Sequence, residues 1–251
     1  MKKDTGSVAL FGDDLQKGFE NMTQEDMALP FVRILGQLSP QVTDGDAKYI
    51  DGAKPGMIYN TVTSECFDGK KGIKVIPCYY KKDYPEWSDR GDGPGAPVAV
   101  HLPNSPVIQT GKRDGSKIRL PNGNYLEETA SYYVLVETKA GGMTPALISM
   151  KSTQLNVSKK WNSMMKTIQI SDGKGGMAIP PMHGVVYNLQ SVLQKNDKGS
   201  WYGWSVAQDR IMGQEDKSLY LTAKDFSGTA SKGSVQTKAD VEEKPKDNTP
   251  Y

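Results

Sequence analysis

Ile73-Lys74-Val75-Ile76-Pro77-Cys78-Tyr79-Tyr80-Lys81-Lys82-Asp83-Tyr84-Pro85-Glu86-Trp87 opens on β-branched residues and becomes a run of rings interleaved with lysines. Side chains of a strand alternate between its faces, so Lys74, Tyr80, Lys82 and Tyr84 are expected to project from one side. Flat π-faces beside ammonium groups suit a polymer of stacked bases and phosphates. Stacking on an aromatic side chain is worth about 1–3 kcal/mol per base, and each lysine can neutralise a phosphate. The competing reading is structural: the tyrosines cover the edge of a core and the lysines are simply solvated.

Two further segments repeat the combination. Lys159, Lys160 and Trp161, with Lys166, form a basic–aromatic patch on a helix, and Trp201, Tyr202 and Trp204 cluster on a strand. Trp201 and Tyr202 must face opposite ways, so only part of that cluster can meet a ligand. Trp87 and Arg90 extend the first stretch. Lys112, Arg113, Lys117 and Arg119 also lie close together, a pattern that usually marks a solvated face.

Catalytic motifs do not stand out. The chain has no GxxxxGK[ST], GxSxG or HExxH, and Gly173-Lys174-Gly175-Gly176 has the wrong spacing for a phosphate loop. Cys66 and Cys78, 12 positions apart, are the only cysteines, and His101 and His183 the only histidines, which leaves no plausible zinc ligand set. The expectation is a protein that is not an enzyme and needs neither metal nor cofactor.

The elements that must position these side chains are mostly strands. The chain has 251 residues, 37% hydrophobic and 24% charged, with 26 glycines and 15 prolines, enough for one core with irregular ends. Mean hydropathy is −0.56, no apolar run is long enough to span a bilayer, and the sequence after Met1 is polar, so a cytoplasmic location is expected. A net charge of +2 excludes a histone-like duplex coat but not a local single-strand groove.

Residues 1–20 read as a loose segment. Thr23 caps a helix start, and Phe31, Ile34, Leu35 and Leu38 share the spacing of a second short helix opened by Pro30. Tyr49-Ile50 and Met57–Thr63 read as strands, followed by the strand from Ile73 and a Gly/Pro-rich loop over 88–97. Tyr132–Glu137 and Pro145–Met150 form a hairpin, a helix spans about 152–168 with Leu155, Met164, Met165 and Ile168 on one stripe, and Val185–Leu193 and Trp201–Val206 form a second hairpin. Strands, then a helix, then a hairpin match an OB-fold, a Greek-key barrel with a helix between its third and fourth strands. A generic antiparallel α+β sheet gives the same pattern. The expected division is a core over 21–226, with N-terminal helices added to it, and a disordered tail over 227–251.

Glu25–Phe31 through Gln41, Gly56–Thr63, and Lys74–Trp87 with Arg90 resemble tailed-bacteriophage proteins assigned as single-stranded DNA-binding proteins of replication modules. The helix Lys151–Trp161 extends the likeness over roughly residues 20–210. The resemblance implies an OB-like fold, cooperative coating of unpaired DNA in replication or recombination, and polymerase, primase or helicase as partners. It also implies a tail that docks those partners through its tip, here Asp247, Pro250 and Tyr251. The tail departs from that pattern because Lys232, Lys238, Lys244 and Lys246 offset its acids. Homo-oligomerisation fits the same reading. The alternatives are a virion structural or assembly protein, and a single-strand annealing factor.

Overall fold

The computed structural model describes residues 10, 12–14, 17–21, 29–89, 97–197 and 199–233. The expected helix start at Thr23, Arg90 with most of its loop, and the tail tip Asp247, Pro250 and Tyr251 lie outside the described residues.

The chain is mainly β, a curled antiparallel sheet with three α-helices among the described residues. A small sheet comes first: β1 (Val32–Ile34), β2 (Ile58–Asn60) and β3 (Cys66–Phe67). Next is the long strand β4 (Ile73–Trp87), then β5 (Ala99–His101), α1 (Pro106–Thr110), β6 (Lys112–Asp114), β7 (Lys117–Arg119) and β8 (Tyr125–Glu127). The hairpin β9 (Thr129–Glu137) and β10 (Met143–Lys151) leads through a short 3-10 turn into α2 (Leu155–Thr167). After the ribbon β11 (Ile170–Ser171) and β12 (Met177–Ala178) come β13 (Val185–Asn196), β14 (Gly199–Ile211) and α3 (Lys217–Ser231).

β4 is long enough to serve two sheets. Its first part pairs with β9 and β13, so that β10, β9, β4, β13 and β14 run side by side. Its last residues pair with β5 on one side and β8 on the other, and β7 and β6 follow β8 outward. The segment between β4 and β9 is thus a sheet of its own, carried on the end of the same strand.

Both faces of the curled sheet are covered, which explains the nearly unbroken apolar run at the start of β4. On one face Ile73, Val75, Tyr132, Val134, Tyr187 and Leu189 pack with Trp161 and Met165 of α2, Ile58 of β2 and Trp204 of β14. On the other, Ile76, Cys78, Leu135 and Leu147 pack against Ala223 and Phe226 of α3. A third, smaller cluster of Tyr84, Ile118, Leu120 and Leu126 holds the outer sheet together.

Three readings of the sequence are corrected here. Phe31–Leu38 is no helix. Leu147 N–H donates to Pro30 O at 2.8 Å, Thr61 N–H to Phe31 O at 3.0 Å and Leu35 N–H to Met57 O at 2.9 Å, while Leu38 is 94% exposed. Strand partners far along the chain satisfy this backbone, overriding a helical spacing too short to decide between the two. Tyr49-Ile50 is irregular chain between two turns rather than strand. Beyond Phe226 the chain continues as helix to Ser231, with Ala230 buried. Ala223, Phe226 and Ala230 share one helical face, and small alanines there let α3 lie close on the sheet. A composition poor in large apolar residues had hidden that face.

His183, in the turn before β13, seals the α3 side. Its ring lies 5.2 Å from that of Tyr220, and its Nε2 is buried without a hydrogen-bond partner. Burial first, and Lys224 second, hold its pKa below the ordinary histidine value. The folded chain's ring therefore takes up a proton less readily than the unfolded chain's, which is protonated below about pH 6.5. Stability is expected to fall as pH drops through that value, and His183→Gln flattens this part of the pH–melting curve, as circular dichroism melts would record.

Candidate nucleic-acid interface

The faces of β4 are set by a bulge. Pro77 pairs with Val134, but Tyr79, not Cys78, pairs with Tyr133, so the strand gains one residue on its partner. Proline cannot donate to the ladder, and a bulge is where a sheet tolerates it. Beyond the bulge the alternation is reversed. Tyr80, Lys82 and Tyr84 share a face with Ile73 and Val75, whereas Lys74 shares the opposite face with Tyr79, Lys81 and Trp87.

On the Trp87 side, register across four strands produces one row. Trp87 of β4 stands opposite Tyr125 of β8, Tyr125 opposite Arg119 of β7, and Arg119 opposite Lys112 of β6. Directly paired residues point to the same face, so two rings and two cations line up across the outer sheet. Lys117 joins them, its Nζ 3.6 Å from the centre of the Tyr125 ring, with the Arg119 guanidinium 5.7 Å from the same ring. Arg119 also donates to Asp89 at 2.9 Å and to Asp114 at 3.3 Å. Its pKa is held above the ordinary value, first by the Asp114 hydrogen bond and then by the Asp89 charge.

The row is braced from behind. The Glu86 carboxylate accepts from Asn124 Nδ2 at 2.6 Å and Asn122 Nδ2 at 3.1 Å, and lies 2.7 Å from His101 Nε2. These bonds, Asn124's above all, hold the Glu86 pKa below the usual carboxylate range and tie β4, β5 and the turn before β8 into one unit. Lys151, the last residue of β10, reaches Glu127 of β8 at 2.9 Å. The end of β10 is thereby pinned to the outer sheet.

Immediately after Lys151, Ser152 takes a left-handed backbone conformation (φ 52°), unusual for a residue other than glycine. Ser152 and Thr153 line one side of a groove of about 390 Å³, whose remaining lining is Asn196, Gly199, Ser200 and Trp201 of the β13–β14 hairpin. Gln154 fixes this junction by accepting the Trp204 N–H at 2.7 Å. Among the described residues no group of three or more His, Cys, Asp or Glu is placed to hold a metal ion. No helix among them is long and apolar enough to cross a membrane. Burial pushes the Cys78 thiol up to about 12, which leaves it unreactive.

A family model described as Pam3 phage gp34-like protein matches residues 2–236. The chain belongs to the Pam3 phage gp34-like family. No curated protein and no solved structure matches it. The gp34-like match agrees with the phage resemblance in its sequence and leaves the activity to be argued from the site.

In this gp34-like chain the expected site residues separate into three groups. Trp87 and Trp201 are half-buried, one in the cross-strand row and one in the groove. Lys159 and Lys160 are exposed on α2. The others make contacts within the fold, and for the buried Trp161, Trp204 and Tyr84 the assignment is corrected. Trp161 is fully buried, stacked on Tyr132 with ring centres 4.3 Å apart, and Trp204 is 5% exposed in the same core, so neither has a face free for a base. Tyr84 is buried in the outer cluster, and Tyr80 leans on Tyr132 at 5.1 Å. Lys82 is paired with Glu128 at 2.5 Å. Lys74 is held by Asp209 at 2.5 Å, on the other face from the tyrosines it was grouped with. Tyr202 packs over Gly56, where a Cβ would come within 2.6 Å of its ring. Sequence reasoning missed Tyr125 and Lys151 and set Lys117 and Arg119 aside as a solvated face. The turn residues Asn122 and Gly123 before Tyr125 were the local mark of a hairpin that would present them.

Proposed function

We propose that this chain binds single-stranded DNA without catalysing a reaction, coating unpaired strands in phage replication or recombination. The observation that carries this reading is the row Trp87–Tyr125–Arg119–Lys112, with Lys117 over Tyr125. Two rings that can take bases stand next to two cations that can take phosphates on neighbouring strands, the combination a sequence-tolerant single-strand binder uses.

The strand order supports an OB-like architecture. β4, β9, β10, β13 and β14 follow the five-strand succession with α2 between the third and fourth, and the outer sheet occupies the connection between the first two. That connection and the hairpin between the last two strands are the usual ligand-gripping loops of this fold. Here the outer sheet and the β13–β14 tip flank the end of β10, at Lys151 and Ser152.

Electrostatics limits the affinity expected. Lys81, Lys151 and Arg119 each pair with a carboxylate, so a phosphate must displace an internal partner. With a net charge of +2, stacking rather than long-range attraction carries the binding. Titration with poly(dT) at two salt concentrations, against a duplex of equal length, tests this. Trp161 and Trp204 are buried, so quenching reports Trp87 and Trp201. The expected result is quenching by the single strand that weakens with salt and exceeds that by the duplex. Absence of binding, with stable oligomers, points instead to a virion assembly protein.

A further inference from the structure

We infer that the groove beside Trp201 is a second nucleotide site, one that takes a single unstacked base. This rests on the single-strand reading above but uses different residues. Trp201 belongs to none of the three apolar clusters among the described residues. It stands opposite Gln194, on the other face of β14 from Tyr202 and from Trp204, which enters the core. A large ring that no core requires lines a groove of about 390 Å³ together with Ser152, Thr153, Ser200 and Asn196, residues that carry hydroxyl or amide side chains. That size lies within the range of small-ligand clefts, which combine an apolar wall with a few convergent polar groups. Hydroxyls both donate and accept, so they can meet the edge of any base while the indole takes its face.

The groove also lies in the right place relative to the row. Ser152 follows Lys151 directly, and Lys151 is bonded to Glu127, two residues from Tyr125 on β8. A strand leaving the Tyr125 ring therefore passes Lys151 before reaching Trp201. A row of exposed rings and cations does not by itself reject a duplex. A groove for an unstacked base does, because a paired base reaches it only at the cost of unpairing.

The test uses the full chain carrying Trp87→Phe, which leaves Trp201 as its half-buried indole. Binding of a dT oligomer and of an oligomer of equal length lacking bases is followed by anisotropy and by tryptophan emission. The dT oligomer is expected to quench Trp201, and the abasic oligomer to bind more weakly without quenching. In the otherwise unaltered chain, Trp201→Ala and Ser200→Leu each weaken dT binding by about 5- to 150-fold. Ser200 is exposed, so filling the groove from that position leaves the fold intact. Binding of dT to the Trp87→Phe protein with unchanged emission, or a Ser200→Leu protein that binds normally, overturns the groove assignment and leaves the single-strand reading standing. Failure of the unaltered protein to bind the dT oligomer overturns both.

Discussion

Trp161→Ala is expected to lower the stability of the chain by about 3–5 kcal/mol, the usual cost of emptying a large aromatic site in a core. For a chain of this size that corresponds to a fall in melting temperature of roughly 6–20 °C. The indole is fully buried, stacked on Tyr132 and edge-on to Tyr187 at 5.6 Å. The Tyr132 hydroxyl in turn lies 2.7 Å from Ser158 Oγ and 3.0 Å from Asn162 Oδ1, so the ring stack fastens α2 to β9. Removing the indole leaves a cavity between helix and sheet that rigid neighbours on both sides cannot fill. Lys159→Ala and Lys160→Ala, on the exposed side of the same helix, change stability by no more than about 0.5 kcal/mol. Differential scanning calorimetry of the three variants separates the core role of Trp161 from the surface role of its neighbours. A Trp161→Ala protein that melts with the unaltered chain contradicts the packing described here.

Tyr125→Ala is expected to weaken poly(dT) binding by about 5- to 150-fold, the range of one lost stacking contact. The ring is half-buried, and Lys117 rests on it, so its loss also frees that ammonium from the row. Arg119→Ala acts differently. It removes a phosphate partner and reduces the slope of log affinity against log salt by about 0.7. Lys82→Ala, on the opposite face of β4 and paired with Glu128, leaves binding within about twofold. Fluorescence titrations at two salt concentrations distinguish the three. Equal losses for Lys82→Ala and Tyr125→Ala would contradict the assignment of faces.

The contrast between those two residues shows what the sequence could and could not convey. The strand from Ile73, both long hairpins and α2 were legible because strand alternation, turn residues and helical spacing are local. The face on which each β4 side chain emerges was not. One bulged residue at Cys78 exchanges the two faces, so parity counted from Lys74 assigns Tyr80 and Lys82 to the wrong side. Pro77 hinted at the irregularity, but nothing local says whether a bulge or a strand end results. The row itself is a product of register. Trp87 was singled out from its neighbours in sequence, yet its partners Tyr125, Arg119 and Lys112 come from strands joined by turns and by α1, and only pairing brings them into line. The burial of Trp161 likewise follows from where α2 docks. A tryptophan flanked by two lysines reads as a surface patch until the helix face that meets the sheet is known.

Photocrosslinking tests the central claim most directly. A dT oligomer substituted with 5-bromodeoxyuridine is bound to the full chain, irradiated, and the attached peptides are identified by mass spectrometry. Attachment at Trp87 or Tyr125, on the face shared with Arg119 and Lys112, is the predicted result. Attachment confined to Tyr80 or Tyr84, on the face that packs with α2 and the outer cluster, would contradict it.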